Sequence, residues 1–146
     1  MTGRILPVTA ALLWREERLL LAQRLPGGAN ANQWELPGGK LEYGESPEVC
    51  LGRELREELG LDVEVKHVHG IFSQITGQDL QILLLVYHCQ LGRLLPRALE
   101  CQDFCWVTPR AALDYDLAPL DRRIIEELVG QGEPSCQNEP ETWATP

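Results

Sequence analysis

The sequence predicts a single domain of the α/β (α+β) class, in which helices cover a mixed β-sheet. Strand and helix candidates follow one another in the order β-β-α-β-β-β-α, which is typical of this class. The 146 residues are about the size of one domain, and we find no internal repeat or interdomain linker. An apolar fraction of 44% is sufficient for one hydrophobic core.

Two apolar segments near the N-terminus predict a β-hairpin. Residues 5–13 are apolar and include Val8 and Thr9, and a charged Arg-Glu-Glu-Arg turn follows them. Residues 19–22 then resume a strand. Residues 25–33 are rich in Gly, Asn and Pro and predict a loop, after which a short extended piece leads into a Gly-Gly turn.

The first helix is predicted at residues 47–59 because both of its ends carry capping signals. Ser46 is a good N-cap, and Pro47 suits the first helical position. Glu48 lies where the positive end of the helix dipole favours a carboxylate. Gly60 follows the last helical residue, as a C-terminal cap does.

Three strands and two helices are predicted after the first helix. The strand candidates are residues 62–73, 80–91 and 103–107. A short helix begins after its N-cap Thr108, and a second helix ends at Gly130. Residues 131–146 are polar and Pro-rich, so we expect a disordered tail after a domain that spans residues 1–130.

Composition excludes several classes of function. A net charge of −9 disfavours binding to nucleic acid polymers and to anionic membranes, because phosphate attracts Lys and Arg. The negative net charge is still compatible with a small phosphate ligand, since a bound metal ion can make the local charge positive. The longest apolar run, residues 82–87, is far shorter than the roughly 20 residues of a membrane helix. Pro7 and nearby charges make the N-terminus a poor signal peptide.

Five cysteines indicate a reducing compartment, and we expect a cytoplasmic protein. Their number is odd, and a chain of this size does not need disulfide staples. Cys101 and Cys105 could form half of a zinc site, but no second pair or nearby His completes the four ligands. Two small side chains on one face of a strand explain this pair as well.

The predicted helix at 47–59 carries three Glu residues on one face. With about 100° between successive helical residues, Glu54, Glu57 and Glu58 project together. The residues expected on the opposite side, against the sheet, are Val49, Gly52, Leu55 and Leu59. A glycine in mid-helix costs about 1 kcal/mol relative to Ala, which a close approach to the sheet would explain.

The residues alone leave two interpretations of this acidic face open. One is a solvated surface on which Arg53 pairs with Glu57 at i,i+4. The other is a site for a hard divalent cation such as Mg²⁺, which prefers oxygen ligands and tolerates several carboxylates. A bound cation would also relieve the mutual repulsion of the three side chains.

The segment from residue 39 to residue 61 resembles the Nudix box. That pattern is Gly, five residues, Glu, seven residues, then Arg-Glu-aliphatic-any-Glu-Glu-any-Gly-aliphatic. Every specified place is filled, by Gly39, Glu45, Arg53, Glu54, Leu55, Glu57, Glu58, Gly60 and Leu61. A chance match at one place is on the order of 10⁻⁸ or rarer. The flanking segments look like the MutT-like branch, so that the likeness covers roughly residues 5–128.

The resemblance implies the Nudix fold, an α/β/α sandwich around a mixed sheet. It implies hydrolysis of a nucleoside diphosphate linked to another group, with water attacking a phosphorus of the bridge and Mg²⁺, or Mn²⁺ in its place, supplying charge neutralisation. The MutT-like branch implies a nucleoside triphosphate pyrophosphohydrolase that releases a nucleoside monophosphate and pyrophosphate. Its substrate would resemble 8-oxo-dGTP or CTP. Nothing in the sequence predicts the oligomeric state.

The resemblance also assigns roles to residues of the box. Glu54, Glu57 and Glu58 would bind the metal ion, helped by the backbone carbonyl of Gly38. Arg53 would orient Glu54 or Glu57 through a salt bridge rather than touch the substrate. The number of metal ions stays open.

Two further acidic residues have roles that the sequence leaves open. Glu45 would tie the preceding loop to the helix rather than hold metal. Glu100 lies six residues before Trp106, at a position where MutT-type enzymes carry an acidic residue. Three roles stay open for it: it completes the metal site, it acts as general base, or it is an exposed loop residue. Glu54 is the rival base.

Three residues are candidates for contact with the nucleotide. Lys40 follows the Gly-Gly turn and either meets a phosphate or is solvated. Asp121 matches an Asn or Asp that meets the base in MutT-type proteins, or else it caps the last helix. Arg24 matches a position in a loop that lines the nucleoside pocket. Trp34 is expected to pack in the interior, and the three histidines are expected to be strand residues without catalytic duty: His67, His69 and His88.

Two alternative functions are disfavoured by the sequence. Nudix enzymes for ADP-ribose often carry a Pro shortly after the box, and those for dinucleoside polyphosphates a Tyr. Here no Pro occurs between Pro47 and Pro96, and the first Tyr after the box is Tyr87. A non-catalytic, nucleotide-sensing Nudix domain usually has a degraded box, whereas this one is intact.

Overall fold

The structure, a computed structural model, describes residues 2–131 and confirms the predicted fold class. The expected tail lies outside the described residues, apart from Gln131. The strands are β1 (Arg4–Arg15), β2 (Arg18–Gln23), β3 (Trp34–Glu35), β4 (Gly38–Lys40), β5 (Val63–Thr76), β6 (Leu80–Leu91) and β7 (Asp103–Val107). The helices are α1 (Pro47–Leu59), α2 (Pro109–Ala112) and α3 (Pro119–Gly130). None of these helices is long and apolar enough to cross a membrane.

The seven strands of this region form one mixed sheet. Its main path is β3-β2-β1-β6-β5, while β4 pairs with β1 and β7 pairs with β2. The β1–β6 pair is parallel, and the other pairs are antiparallel. The sequence predicted a short extended piece followed by a Gly-Gly turn. The structure has the short strands β3 and β4 at these positions. Strand β3 pairs with β2, and β4 pairs with residues 8–10 of β1.

The hydrophobic core has two halves, one on each face of the sheet. Successive residues of β1 alternate between the two halves, which places α1 and α3 on opposite faces. Helix α1 contributes Leu51, Leu55 and Leu59, and α3 contributes Ile124 and Ile125, all fully buried. Burying each of these side chains contributes about 1.5–3 kcal/mol relative to leaving it exposed.

The ends of α1 lie where the capping residues predict them. The Ser46 Oγ accepts a hydrogen bond from the Val49 N–H at 3.2 Å. Gly60 has a φ of 68°, the left-handed conformation that glycine adopts at low cost. The explanation offered for Gly52 is wrong, because a Cβ added there would meet nothing within 4 Å.

The buried face of α1 differs from the face that periodicity predicts. Val49 is mostly exposed, while Cys50 and Leu51 are fully buried. Around the helix axis, the observed buried face is therefore rotated by about 80° from the predicted one, toward the acidic face. Glu58 falls within this observed buried face. The contact of the Cys50 Sγ with the Thr9 Oγ1 at 3.5 Å holds α1 in this rotation against β1.

The described cysteines are free thiols: Cys50, Cys89, Cys101 and Cys105. The expectation that Cys101 and Cys105 share one strand face is wrong. Cys101 precedes β7 and packs in the core half next to α1, whereas Cys105 lies in β7 and packs in the half next to α3. Strand pairing starts at Asp103, so the period of a strand does not extend back to Cys101.

The three histidines lie in β5 and β6, as expected, and contact one another. Trp14 Nε1, which can only donate, bonds to His88 Nδ1 at 3.2 Å. Neutral His88 therefore carries its proton on Nε2 and donates it to His69 Nδ1 at 3.1 Å. The ring of His67 stacks on His88 at 4.7 Å. Burial, followed by the neighbouring rings of His69 and His67, lowers the pKa of His88 to about 4.

We predict that His88 makes the fold less stable in acid. An unfolded His takes up a proton near pH 6.5, whereas folded His88 stays neutral down to about pH 4, so its stabilising effect is complete above pH 6.5 and is lost as the pH falls. As the pH falls from about 7.5 to about 5, the free energy of unfolding of the wild type should decrease by up to about 2 kcal/mol more than that of His88→Asn. Urea unfolding at both pH values measures this difference, and parallel pH dependence of the two proteins would contradict it.

Candidate active site

The two glycines of β4 bring the sheet and α1 into contact. A Cβ on Gly38 would overlap the backbone carbonyl of Thr9, and a Cβ on Gly39 would overlap the carboxylate of Glu54. Close approach to the backbone therefore requires glycine at position 38, whereas a side chain at position 39 would displace the Glu54 carboxylate. The Thr9 hydroxyl donates to the Gly39 carbonyl at 3.2 Å, which fixes the turn against β1.

Arg53 connects the carboxylates on this side of α1. Its guanidinium donates to both oxygens of Glu45 at 2.6 and 3.0 Å, to Glu54 at 3.1 Å and to Glu57 at 3.2 Å. It also donates to the Lys40 carbonyl at 3.2 Å. The salt bridges expected from Arg53 to Glu54 and Glu57 are thus present. A planar guanidinium suits this set because its five donors have fixed directions.

Glu45 ties the loop before α1 to the helix, as expected. Its Oε1 accepts from the Glu42 N–H at 3.0 Å, while both oxygens accept from Arg53. These hydrogen bonds to Arg53 and then to Glu42 lower the pKa of Glu45 to about 2. Glu45 is therefore a carboxylate committed to Arg53.

Glu58 is the most unusual carboxylate of the site. Its side chain is largely buried, and its Oε1 has no hydrogen-bond partner among the described residues. Burial, followed by the charges of Glu35 and Glu54, raises the pKa of Glu58 to about 9. Without a cation this group is protonated at neutral pH, and its free oxygen is a ligand that a cation could use.

The other acidic residues surround Glu58 with different exposures. Burial, opposed by Arg53, raises the pKa of Glu54, and Glu57 is half-exposed. Glu100 is exposed, but its N–H donates to the Glu58 carbonyl at 3.1 Å, and its charge contributes to the raised pKa of Glu54 and Glu58. No group of three His, Cys, Asp or Glu side chains among residues 2–131 is already arranged to hold a metal ion.

One cavity of about 680 Å³ connects this acidic helix with the far side of the sheet. Its volume is in the range of about 300–1,000 Å³ that is usual for small-molecule sites. The polar lining that bears on function comprises Arg24, Glu35, Gly38, Gly39, Lys40, Glu54, Gln74, Thr76 and Asp121. The apolar wall includes Leu6, Val8, Ile82 and Leu84. The structure thus brings three expected substrate-binding residues and Glu54 to one space, whereas Glu57, Glu58, Glu100 and Arg53 do not line it.

Asp121 of α3 is a buried residue that lines the cavity. Its Oδ1 accepts from the Leu36 N–H at 3.0 Å. Burial, followed by the charge of Glu35, raises the pKa of Asp121 to about 7. The alternative role as helix N-cap is wrong, because α3 begins at Pro119 after Ala118, and Asp121 lies within its first turn.

Glu35 is a cavity residue that the sequence analysis missed. Arg24 donates to both of its oxygens at 3.1 and 3.3 Å, and burial, opposed by Arg24, raises the pKa of Glu35. The available signal was a lone charge in the otherwise apolar segment Trp-Glu-Leu-Pro before the Gly-Gly turn. Trp34 packs edge-on against Tyr115 with ring centroids 5.2 Å apart, which agrees with the interior role expected for it.

Known proteins resemble this chain in sequence and in fold. Residues 4–128 match the family described as NUDIX domain. A CTP pyrophosphohydrolase of Escherichia coli is 36% identical over 127 residues, which cover 86% of this chain and 93% of that protein. A putative 8-oxo-dGTP diphosphatase 2 of Mycobacterium tuberculosis is 38% identical over 122 residues, which cover 84% and 86%. The solution structure of the E. coli ORF135 protein has a TM-score of 0.78 at 31% identity, covering 94% of this chain and 96% of that one.

We predict that Glu58→Gln stabilises the metal-free protein. The unfolded carboxyl ionises above its ordinary value of 4.5, while folded Glu58 keeps its proton until about pH 9. Its stabilising effect is therefore complete below pH 4.5 and is lost as the pH rises. Gln keeps the shape of the protonated group without this loss, so the free energy of unfolding at about pH 8 should rise by at least about 1 kcal/mol.

Urea unfolding in the presence of a chelator tests this prediction. The gain should shrink as the pH falls toward about 5. Glu126→Gln, at an exposed position of α3, is the matched control and should show no such trend. A Glu58→Gln protein that is less stable than wild type at about pH 8 would contradict the burial argument.

Proposed function

This chain belongs to the NUDIX domain family of hydrolases, and we propose that it converts a nucleoside or deoxynucleoside triphosphate to the monophosphate and pyrophosphate. The observation that carries this proposal is that Glu54 and Asp121 line the same cavity. A nucleotide bound there would place its phosphates beside Glu54 and its base beside Asp121. We take residues 1–130 as the catalytic domain.

Nudix hydrolases generally use divalent metal ions, and for this chain we propose Mg²⁺, which Mn²⁺ could replace. Glu54, Glu57 and Glu58 would hold the ion, with the Gly38 carbonyl and Glu100 as further oxygen ligands. The residues fit such an ion, because Glu58 has a buried oxygen without a partner and like charges raise its pKa. When bound, the ion neutralises phosphate charge and lowers the pKa of the attacking water.

The chain's own groups would orient and activate the reactants. Arg53 positions Glu54 and Glu57 through its salt bridges and does not line the cavity. Glu54 is the better candidate for general base than Glu100, because Glu54 lines the cavity while Glu100 is exposed. We count Arg53, Glu54, Glu57 and Glu100 as the catalytic set.

Base and phosphate contacts follow from the lining of the cavity. Lys40 lies beside the Gly-Gly turn, where its charge would meet a phosphate. Asp121, with a pKa of about 7, can either accept or donate a hydrogen bond, so it suits the amino and imino groups of cytosine or guanine. The Arg24–Glu35 pair would border the nucleoside, and the apolar wall would cover the face of the base.

Relatives support this class of substrate. The similar E. coli and Mycobacterium proteins are named for CTP and for 8-oxo-dGTP. We propose that this chain acts on free nucleotides of one of these two kinds, in the cytoplasm, and thereby cleanses the nucleotide pool. Four free thiols among the described cysteines agree with a reducing compartment.

A substrate screen with Mg²⁺ tests the proposed reaction. Pyrophosphate release should be fastest with CTP or 8-oxo-dGTP among the common and oxidised nucleoside triphosphates. ADP-ribose and a dinucleoside tetraphosphate serve as comparison substrates. Turnover of only those two would overturn the proposal, and replacing Mg²⁺ with Mn²⁺ should preserve activity.

The variant Glu57→Gln tests the proposed metal ligands. It should lower kcat by about two to three orders of magnitude, because it removes one charge from the ion's ligands. The fold should survive, since Glu57 is half-exposed and outside the core. Glu126→Gln, which makes the same chemical change on exposed α3, should keep wild-type turnover. Unchanged kinetics in Glu57→Gln would refute this metal assignment.

A further inference from the structure

Strand β5 is an unprotected edge of the sheet. It ends the strand path, and among residues 2–131 its only strand partner is β6. The outer side of β5 therefore presents a row of backbone N–H and C=O groups without strand partners. Soluble proteins usually block such edges with charges, prolines or β-bulges, because an open edge pairs readily with another strand.

Protective features occur in only one half of β5. The first half carries the Glu64–Lys66 ion pair at 3.0 Å, and irregular pairing with β6 occurs between Val65 and Gly70. The second half, residues 70–76, reads Gly-Ile-Phe-Ser-Gln-Ile-Thr and contains no Lys, Arg, Asp, Glu or Pro. Its pairing with β6 is regular throughout. An uncharged edge of seven residues is unusual on a chain with a net charge of −9.

The same half of β5 exposes large apolar side chains. Ile71 is 62% exposed and Ile75 is 72% exposed. Ile5 of β1 is 62% exposed and lies on the same face as Ile75, because both residues pair with Gln81 of β6. We call Ile5, Ile71 and Ile75 the β5 patch.

The β5 patch lies on the face of the sheet opposite to the cavity. Along β5, the patch residues Ile71 and Ile75 alternate with Phe72, Gln74 and Thr76. Phe72 is buried in the α3 half of the core, and the other two line the cavity. A partner bound at the β5 patch would therefore leave the cavity accessible.

We propose that two copies of this chain associate through residues 70–76 of β5, antiparallel about a twofold axis at Ser73. This axis sets Ile71 of each copy opposite Ile75 of the other, since both lie two residues from Ser73. A second copy fits this edge because it offers an equally uncharged strand and sets an exposed Ile against each exposed Ile. The contact is isologous, so it closes as a dimer and covers the uncharged half of the β5 edge in both copies.

Sedimentation velocity of the full chain measures the association. Between about 1 μM and about 1 mM, the weight-average mass should rise from 16.4 kDa toward twice that value. Ile75→Lys should shift the transition to at least about tenfold higher concentration. Leu95→Lys, at a 67% exposed Leu outside the strands, is the matched control and should behave like wild type. A mass of one chain at every concentration would overturn the proposal.

Two double variants test the register. Ile71→Lys with Ile75→Lys places like charges opposite one another across the axis, whereas Ile71→Glu with Ile75→Lys places opposite charges there. Both remove the same apolar side chains. The Glu/Lys protein should associate at least about tenfold more tightly, although its net charge is the more negative. Equal association of the two proteins would refute a twofold axis at Ser73.

Hydrogen exchange distinguishes a second copy from a segment of the same chain. Amides of residues 70–76 on the outer edge should gain protection as protein concentration rises. Protection that does not change with concentration would assign the edge to the chain's own residues 132–146 and overturn the proposal. Pyrophosphate release per chain should be unaffected by Ile75→Lys, so this test is independent of the proposed function.

Discussion

Arg53 donates hydrogen bonds to three carboxylates at once, and the position of most groups near the acidic helix depends on this side chain. Its two contacts with Glu45 join the loop to α1, and its Nη1 holds Glu54 and Glu57 on either side. Without a cation, Arg53 is the only positive charge in contact with these three groups among the described residues. Its bidentate geometry fixes direction as well as charge, which a lysine could not do.

The site is built at a cost in stability, which is concentrated in buried carboxylates. Burial raises the pKa of Glu35, Glu58 and Asp121, and the charge of Glu35 raises the pKa of the other two. Arg24 offsets part of this cost through its contact with Glu35. A core position chosen for stability alone would carry an apolar residue in place of such a group. The retention of all three, with Glu35 and Asp121 in the lining of one cavity, is typical of a functional site.

The sequence was most informative where structure is determined locally. Ser46 and Gly60 act on adjacent backbone groups, so the bounds of α1 could be read directly. The rotation of α1 about its own axis could not be read from the sequence. It depends on the contact of Cys50 with Thr9, which lies forty-one residues away along the chain. The burial of Glu58 follows from this rotation. The box assigned Glu58 as a ligand, but only the fold shows that its oxygen is buried without a partner. Glu35 was missed for the same reason, since its role depends on Arg24 and on the cavity.

The segment between Glu35 and Gly39 links the two carboxylates Asp121 and Glu54, which line the cavity. Leu36 N–H holds Asp121, and Gly39 packs against the Glu54 carboxylate. Three residue steps separate Leu36 from Gly39, so their Cα atoms lie at most about 11 Å apart. The Pro37 carbonyl accepts from the Ala11 N–H at 2.8 Å, which fixes this short segment to β1. A ligand that contacts both Asp121 and Glu54 must therefore fit the spacing that this short segment allows.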